Sequence, residues 1–74
     1  MAVRLECTIR LIRNTTWRTG YVQRLIIREL QRAGGTLSYQ ELRARLAEHV
    51  RHPREISQAM WRLAARKIIE VMKL

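Results

Sequence analysis

From residue 53 onward the spacing of apolar residues changes period without a gap. Ile56, Ala59, Met60 and Leu63 fall at i, i+3, i+4 and i+7, and after Arg66 and Lys67 the run Ile68-Ile69-Glu70-Val71-Met72-Lys73-Leu74 is rich in strand-forming residues. The first pattern predicts a helix over 53–66 with one buried stripe, and the second predicts a strand over 68–74. Pro53 suits the first helical position, where its missing N–H is not needed, and Glu55 complements the positive end of the helix dipole. Arg54, Ser57, Gln58, Trp61 and Arg62 fall outside the stripe, so polar and aromatic groups share the open face of this helix.

The preceding chain has its own periods. Val3, Leu5, Cys7, Ile9 and Leu11 share one parity, which predicts a half-buried strand over 3–12. Asn14, Thr15 and Thr16 make a polar break, and Trp17 is expected to close over the next helix as a lid on the core. That helix spans about 19–33, capped by Thr19 and stopped by Gly34 and Gly35, with Val22, Leu25, Ile26, Leu30 and Ala33 inward. Thr36 and Leu37 provide one extended step. Ser38 followed by Glu41 is a capping box, and it opens a helix over 38–50 that continues through Leu42, Ala44, Leu46 and Ala47. Residues 49–52 form the turn into the helix over 53–66. The expectation is a single domain over 1–74 of the α+β class, mostly α, with three helices and a small sheet formed by the N-terminal and C-terminal strands.

Charge sharpens this picture. Lys and Arg number 15 against 6 Glu and no Asp, for a formal net charge of +9 on 74 residues. Self-repulsion on so small a body is relieved by a polyanion, nucleic acid first and an anionic membrane second. Thirteen of the basic residues are Arg, whose planar fork suits phosphate and guanine edges, although a biased genome or a heat-adapted source raises Arg as well. Cys7 is the only cysteine, so no disulfide forms within the chain, and its apolar neighbours predict a small buried hydrophobe. No stretch has the length of a transmembrane helix, and Arg4, Arg10 and Arg13 interrupt any signal-peptide pattern. The expected location is the cytoplasm, at the nucleoid, or the host cytoplasm if the source is viral.

The order strand, helix, extended link, helix, turn, helix, strand resembles the winged helix-turn-helix domains of prokaryotic transcriptional regulators, archaeal, bacterial or viral. In those families the third helix commonly reads as an apolar residue, two polar ones, Ala, an apolar residue, two basic or polar ones and Leu. Ile56-Ser57-Gln58-Ala59-Met60-Trp61-Arg62-Leu63 is similar to that pattern, as is the strand Ile68-Ile69-Glu70-Val71 after it. Ser38-Tyr39-Gln40-Glu41-Leu42 and Leu46 look like the second helix of the family. The resemblance covers about residues 19–71. It implies sequence-specific binding of double-stranded DNA with the third helix in the major groove, base contacts from Arg54, Ser57, Gln58, Trp61 and Arg62, and phosphate contacts from Arg43, Arg51, Arg66 and Lys67. Arg62 and Gln58 are the foremost candidates for base edges.

Two positions depart from the family pattern. Lys67 stands where Gly is common after the third helix, so a left-handed turn there carries strain of about 1 kcal/mol. The wing is normally a hairpin of two strands, whereas this sequence has one after the third helix, and the N-terminal strand is the substitute partner. That pairing closes within one molecule or between two. A homodimer through the N-terminal strand, which would bring two third helices to successive grooves, is slightly favoured, and periodicity leaves both arrangements open.

Other chemistries find little in the sequence. Without Asp, a Gly-rich phosphate loop or a Ser beside a His and a carboxylate, no catalytic constellation is present, and no enzyme activity is expected. His49 and His52 are three apart in a turn with Cys7 as the only further soft ligand, so neither a metal nor another cofactor is expected. No small-molecule ligand is inferred, and membrane binding is not expected because the apolar helix faces are committed to one core. The rival reading is a winged helix used for protein–protein contacts, or for structured RNA in a ribosome-associated protein.

Overall fold

Where the sequence left the partner of the C-terminal strand open, the fold gives it one in cis. The computed structural model describes residues 7–72. Its elements are β1 (Thr8–Leu11), α1 (Tyr21–Arg32), β2 (Thr36–Ser38), α2 (Tyr39–Leu46), α3 (Pro53–Ala65) and β3 (Ile69–Met72). The sheet order is β2-β1-β3, and both pairings are antiparallel. Ile9 stands opposite Leu37 on one side and Val71 on the other, so β1 uses both edges within its own chain between Thr8 and Leu11. The outer edges of the sheet belong to β2 and β3. The rest of the strand expected over 3–12, at residues 3–6, and the end of the strand expected over 68–74, at residues 73 and 74, lie outside the described residues.

The single extended step expected at Thr36 and Leu37 is a strand of three residues. Its regularity comes from β1 rather than from its own pattern, since two turns of polar alternation are too few to define a period. Together the three helices and the three-stranded antiparallel sheet make a small α+β fold of winged-helix form.

Helix ends follow local chemistry, with two corrections. Thr19 does not cap α1: its hydroxyl donates to the Thr16 carbonyl, its side chain is buried, and Gly20 occupies the cap position without a side-chain bond. The helix therefore starts two residues late, at Tyr21. At its far end the Gly34 and Gly35 N–H groups reach back to Gln31 and Leu30, and both glycines have positive φ, a six-residue closure that places unsatisfied carbonyls in bonds. The Ser38 hydroxyl accepts from the Glu41 N–H at 3.1 Å, as the capping box requires.

The second correction is that α2 ends at Leu46 and not at Val50. Ala44 and Ala47, through which the helix was expected to continue, are exposed, while Tyr39, Leu42 and Leu46 are buried. Val50 is buried in the core from the turn, and its N–H and that of His49 both bond the Leu46 carbonyl, closing the end of the helix.

One core fills the space between helices and sheet. Ile9, Ile26, Ile27, Leu30, Leu42, Leu46, Ile56, Met60, Leu63 and Ile68 are its fully buried large side chains. Ile27 joins the expected stripe of α1 because that helix packs against α2, α3 and the sheet, which widens its buried arc. Cys7 is buried and free, as its neighbours predicted.

The turn from α3 into β3 holds the strain expected of it. Lys67 has φ 61°, with its N–H on the Ala64 carbonyl and the Ile68 N–H on the Leu63 carbonyl. A β-carbon in this region costs about 1 kcal/mol relative to glycine. Lys67→Gly is expected to raise stability by about that amount, read as a higher denaturant midpoint at unchanged slope. A lowered midpoint would show that the Lys67 side chain contributes more than its backbone costs.

Candidate nucleic-acid interface

The apolar stripe of α3 turns the remaining side chains into one outward row. Ile56, Ala59, Met60 and Leu63 are buried, which leaves Arg54, Gln58 and Arg62 exposed at i, i+4 and i+8. Ser57 and Trp61 flank them half-buried, and all five residues line one shallow, open depression. The structure thus brings together the five residues that the sequence singled out for base contacts. Counting on to Arg66, the row extends about 18 Å along the helix at 1.5 Å per residue.

Charge on this row is uncompensated. Arg10 pairs with Glu70 at 3.3 Å, Arg32 with Glu29 at 3.4 Å, and Arg45 with Glu41 at 3.3 Å and Glu29 at 3.6 Å. These pairs add little to stability, and of their carboxylates Glu29 and Glu41 sit on α1 and α2, while Glu70 borders a groove with Trp61, Ala64 and Lys67. Among the described residues neither the Arg54 nor the Arg62 guanidinium has a hydrogen-bond or ion-pair partner within the chain. Glu55 is the one acidic group on α3, and with Gln58 and Arg62 it borders a second depression closed by Gly20, Tyr21 and Gln23 of the α1 start.

Trp61 links the row to the sheet. It packs against the core edge, and it also lines a groove with Arg10, Ile12, Ala64, Lys67, Ile69 and Val71. Its indole Nε1 is buried with no hydrogen-bond partner among the described residues. An unmet donor of this kind costs about 1–3 kcal/mol.

The four residues expected to hold phosphate separate into two kinds. Arg51 and Lys67 are exposed at the two ends of α3, with no side-chain partner among the described residues. Arg43 is half-buried on α2, its guanidinium 5.9 Å from the centre of the Tyr39 ring, away from the α3 row. Arg66 lies on the row, but its guanidinium donates to the Trp17 carbonyl at 2.8 Å and the Arg18 carbonyl at 3.1 Å. It works as a clasp between the end of α3 and the loop before α1. Arg66→Ala is expected to lower stability by about 1 kcal/mol and to speed tryptic nicking after Arg13 and Arg18. Unchanged nicking would remove the clasp role.

Trp17 corrects the expectation of a core lid. It is 67% exposed, with its carbonyl held by Arg66 and the Arg18 guanidinium 4.6 Å from the ring centre. The placement of Trp17 between Thr16 and Arg18 was the only local signal of exposure. Tyr21, 59% exposed, sits where the depression beside Arg62 meets another lined by Arg24, Leu25, Arg28 and His49. Neither tyrosine position was predicted beyond packing, and Tyr39 is buried.

His49 and His52 border different depressions, His49 beside α1 and His52 beside Pro53 and Arg54. Among the described residues no group of three or more His, Cys or Glu is placed to hold a metal ion. No helix in them is long and apolar enough to cross a membrane. Comparison with protein-family models, with curated proteins and with solved structures finds no match to this chain.

Proposed function

We propose that this chain is a sequence-specific double-stranded DNA-binding protein, a transcriptional regulator of the winged helix-turn-helix kind, with α3 as its recognition helix. The observation that carries the reading is the row Arg54, Gln58 and Arg62, exposed, adjacent and without side-chain partners among the described residues. A major groove about 12 Å wide admits a helix, and it offers guanine N7 and O6 to an Arg fork and adenine N6 and N7 to a Gln amide. Arg51 and Lys67, at opposite ends of α3, suit phosphates on either side of the helix. The net charge of +9 supplies the attraction that brings the duplex in. Such a protein works where the genome is, in the cytoplasm. With β1 paired on both sides in cis over Thr8 to Arg10, a homodimer through the N-terminal strand would have to use other residues of that segment, and each chain would present one recognition helix.

Selection of bound sequences from a random duplex pool tests the reading directly. At the selected site Arg62→Ala is expected to cost about 1–3 kcal/mol and to relax the preference for guanine at one position. Arg62→Ala binding with unaltered affinity and preference would remove Arg62 from base recognition. A pool that yields no preferred sequence, with binding instead to structured RNA or to a protein, would favour the rival use of the fold.

A further inference from the structure

The loop between β1 and α1 displays an aromatic ring and holds it firmly. Trp17 is 67% exposed, ahead of Tyr21 at 59% and Ile12 at 46%. Yet its segment is tied at several points: the Trp17 N–H donates to Thr15 Oγ1, the Thr19 hydroxyl to the Thr16 carbonyl, and Arg24 to the Thr19 carbonyl at 2.7 Å. Arg66 adds its two bonds from the end of α3. Arg18 has φ 54°, a conformation that costs a residue with a β-carbon about 1 kcal/mol or more. Strain and cross-links together fix an apolar surface in water, the reverse of what folding alone favours.

The geometry gives this arrangement a use. Arg18 covers one face of the Trp17 ring at 4.6 Å, and with the side chain two-thirds exposed the opposite face is open. Such a pair is a stacking platform: the indole offers a π face, and the guanidinium supplies charge for the phosphate attached to whatever stacks. It sits one helical turn beyond Arg62, because Arg66 is at i+4 from Arg62 and grips the loop. Arg13, four residues before Trp17, and Lys67, next in sequence to the Arg66 that grips the loop, are both exposed and add positive charge. Cationic surroundings of this density disfavour a second copy of so basic a chain and favour a polyanion.

We propose that Trp17 and Arg18 stack an unpaired base of a single strand adjoining the duplex held by α3, an inference that rests on the DNA-binding reading above. Inside a duplex the base faces are already stacked, so a protruding ring finds a free one only where pairing ends. The chain would therefore prefer a tailed duplex or a junction over a blunt one.

Anisotropy titrations of the whole protein separate the two ideas, with three labelled probes: a blunt duplex carrying the selected site, the same duplex with a short single-stranded extension, and the extension alone. The extension is expected to tighten binding roughly tenfold, as one base stacked on an aromatic ring does. Trp17→Ala, with an unchanged denaturation midpoint, is expected to abolish that gain while leaving blunt-duplex affinity in place, and Trp17→Phe to keep part of it. No gain from the extension overturns the proposal, as does equal weakening of blunt and tailed duplexes by Trp17→Ala. If the blunt duplex does not bind at all, the α3 reading fails by itself. The platform then stands if Trp17→Ala weakens binding of the single strand, and falls if it does not.

Discussion

Raising the salt concentration from 50 to 200 mM is expected to weaken duplex binding about a thousandfold if the six cations assigned to DNA each meet a phosphate or displace its counterion. Those six are Arg43, Arg51, Arg54, Arg62, Arg66 and Lys67, and a contact count of about six gives a slope near −5 in a plot of log affinity against log salt. The structure makes the slope diagnostic. Arg43 lies over the Tyr39 ring and Arg66 holds two carbonyls, so both have intramolecular work, though neither has its charge neutralised. If only the four unengaged cations reach phosphate, the slope falls to about −3.6 and the loss to roughly a hundredfold. A flat response would remove phosphate contact as the source of affinity. Repeating the titration with Arg66→Ala shows which case holds, because a clasp that is not a phosphate ligand leaves the slope unchanged.

The parts of this fold that were legible in the sequence are those fixed by neighbours within a few residues. Ser38 and Glu41 marked a helix start because the cap bond spans three residues, and it is present. Ile56, Ala59, Met60 and Leu63 marked the buried side of α3 because helical geometry repeats within two turns, and that side is buried. The open row of α3 followed by subtraction. What could not be read depended on groups far apart in the chain. Trp17 faces water in a loop whose carbonyls are bound by Arg66, 49 positions later, and no local pattern carries that pairing. Thr19 lost its capping role to a carbonyl in its own turn, and β2 exists because β1 lies beside it.

The same reasoning explains the place of β1 in the sheet. A wing hairpin needs a partner for the strand after the third helix, and here the partner precedes all three helices in sequence. It enters between β2 and β3, so the N-terminal segment closes the sheet at its centre and not at its rim. The site on α3 therefore depends on a strand about 50 residues upstream: Ile68 leads from α3 into β3, and its carbonyl accepts from the Ile12 and Arg13 N–H groups that follow β1.

Ile9→Ala is expected to give the largest stability loss of any substitution considered. Ile9 is fully buried in the central strand, between Leu37 and Val71 in register. Truncating a buried Ile to Ala costs about 2–5 kcal/mol, the spread reflecting how far the cavity collapses. A domain of 74 residues has a total stability of roughly 4–11 kcal/mol at ordinary values per residue. The variant is thus expected to lose about a fifth or more of its stability, with a lower denaturant midpoint and a melting point reduced by about 10 °C or more. Its duplex affinity, measured at low temperature where the folded fraction is high, should stay close to that of the parent chain, since Ile9 is buried and α3 keeps its own stripe. Arg62→Ala should do the opposite, lowering affinity at constant midpoint. If Ile9→Ala instead leaves the midpoint in place, β1 does not hold the sheet together. The centre of stability would then lie in the three helices alone.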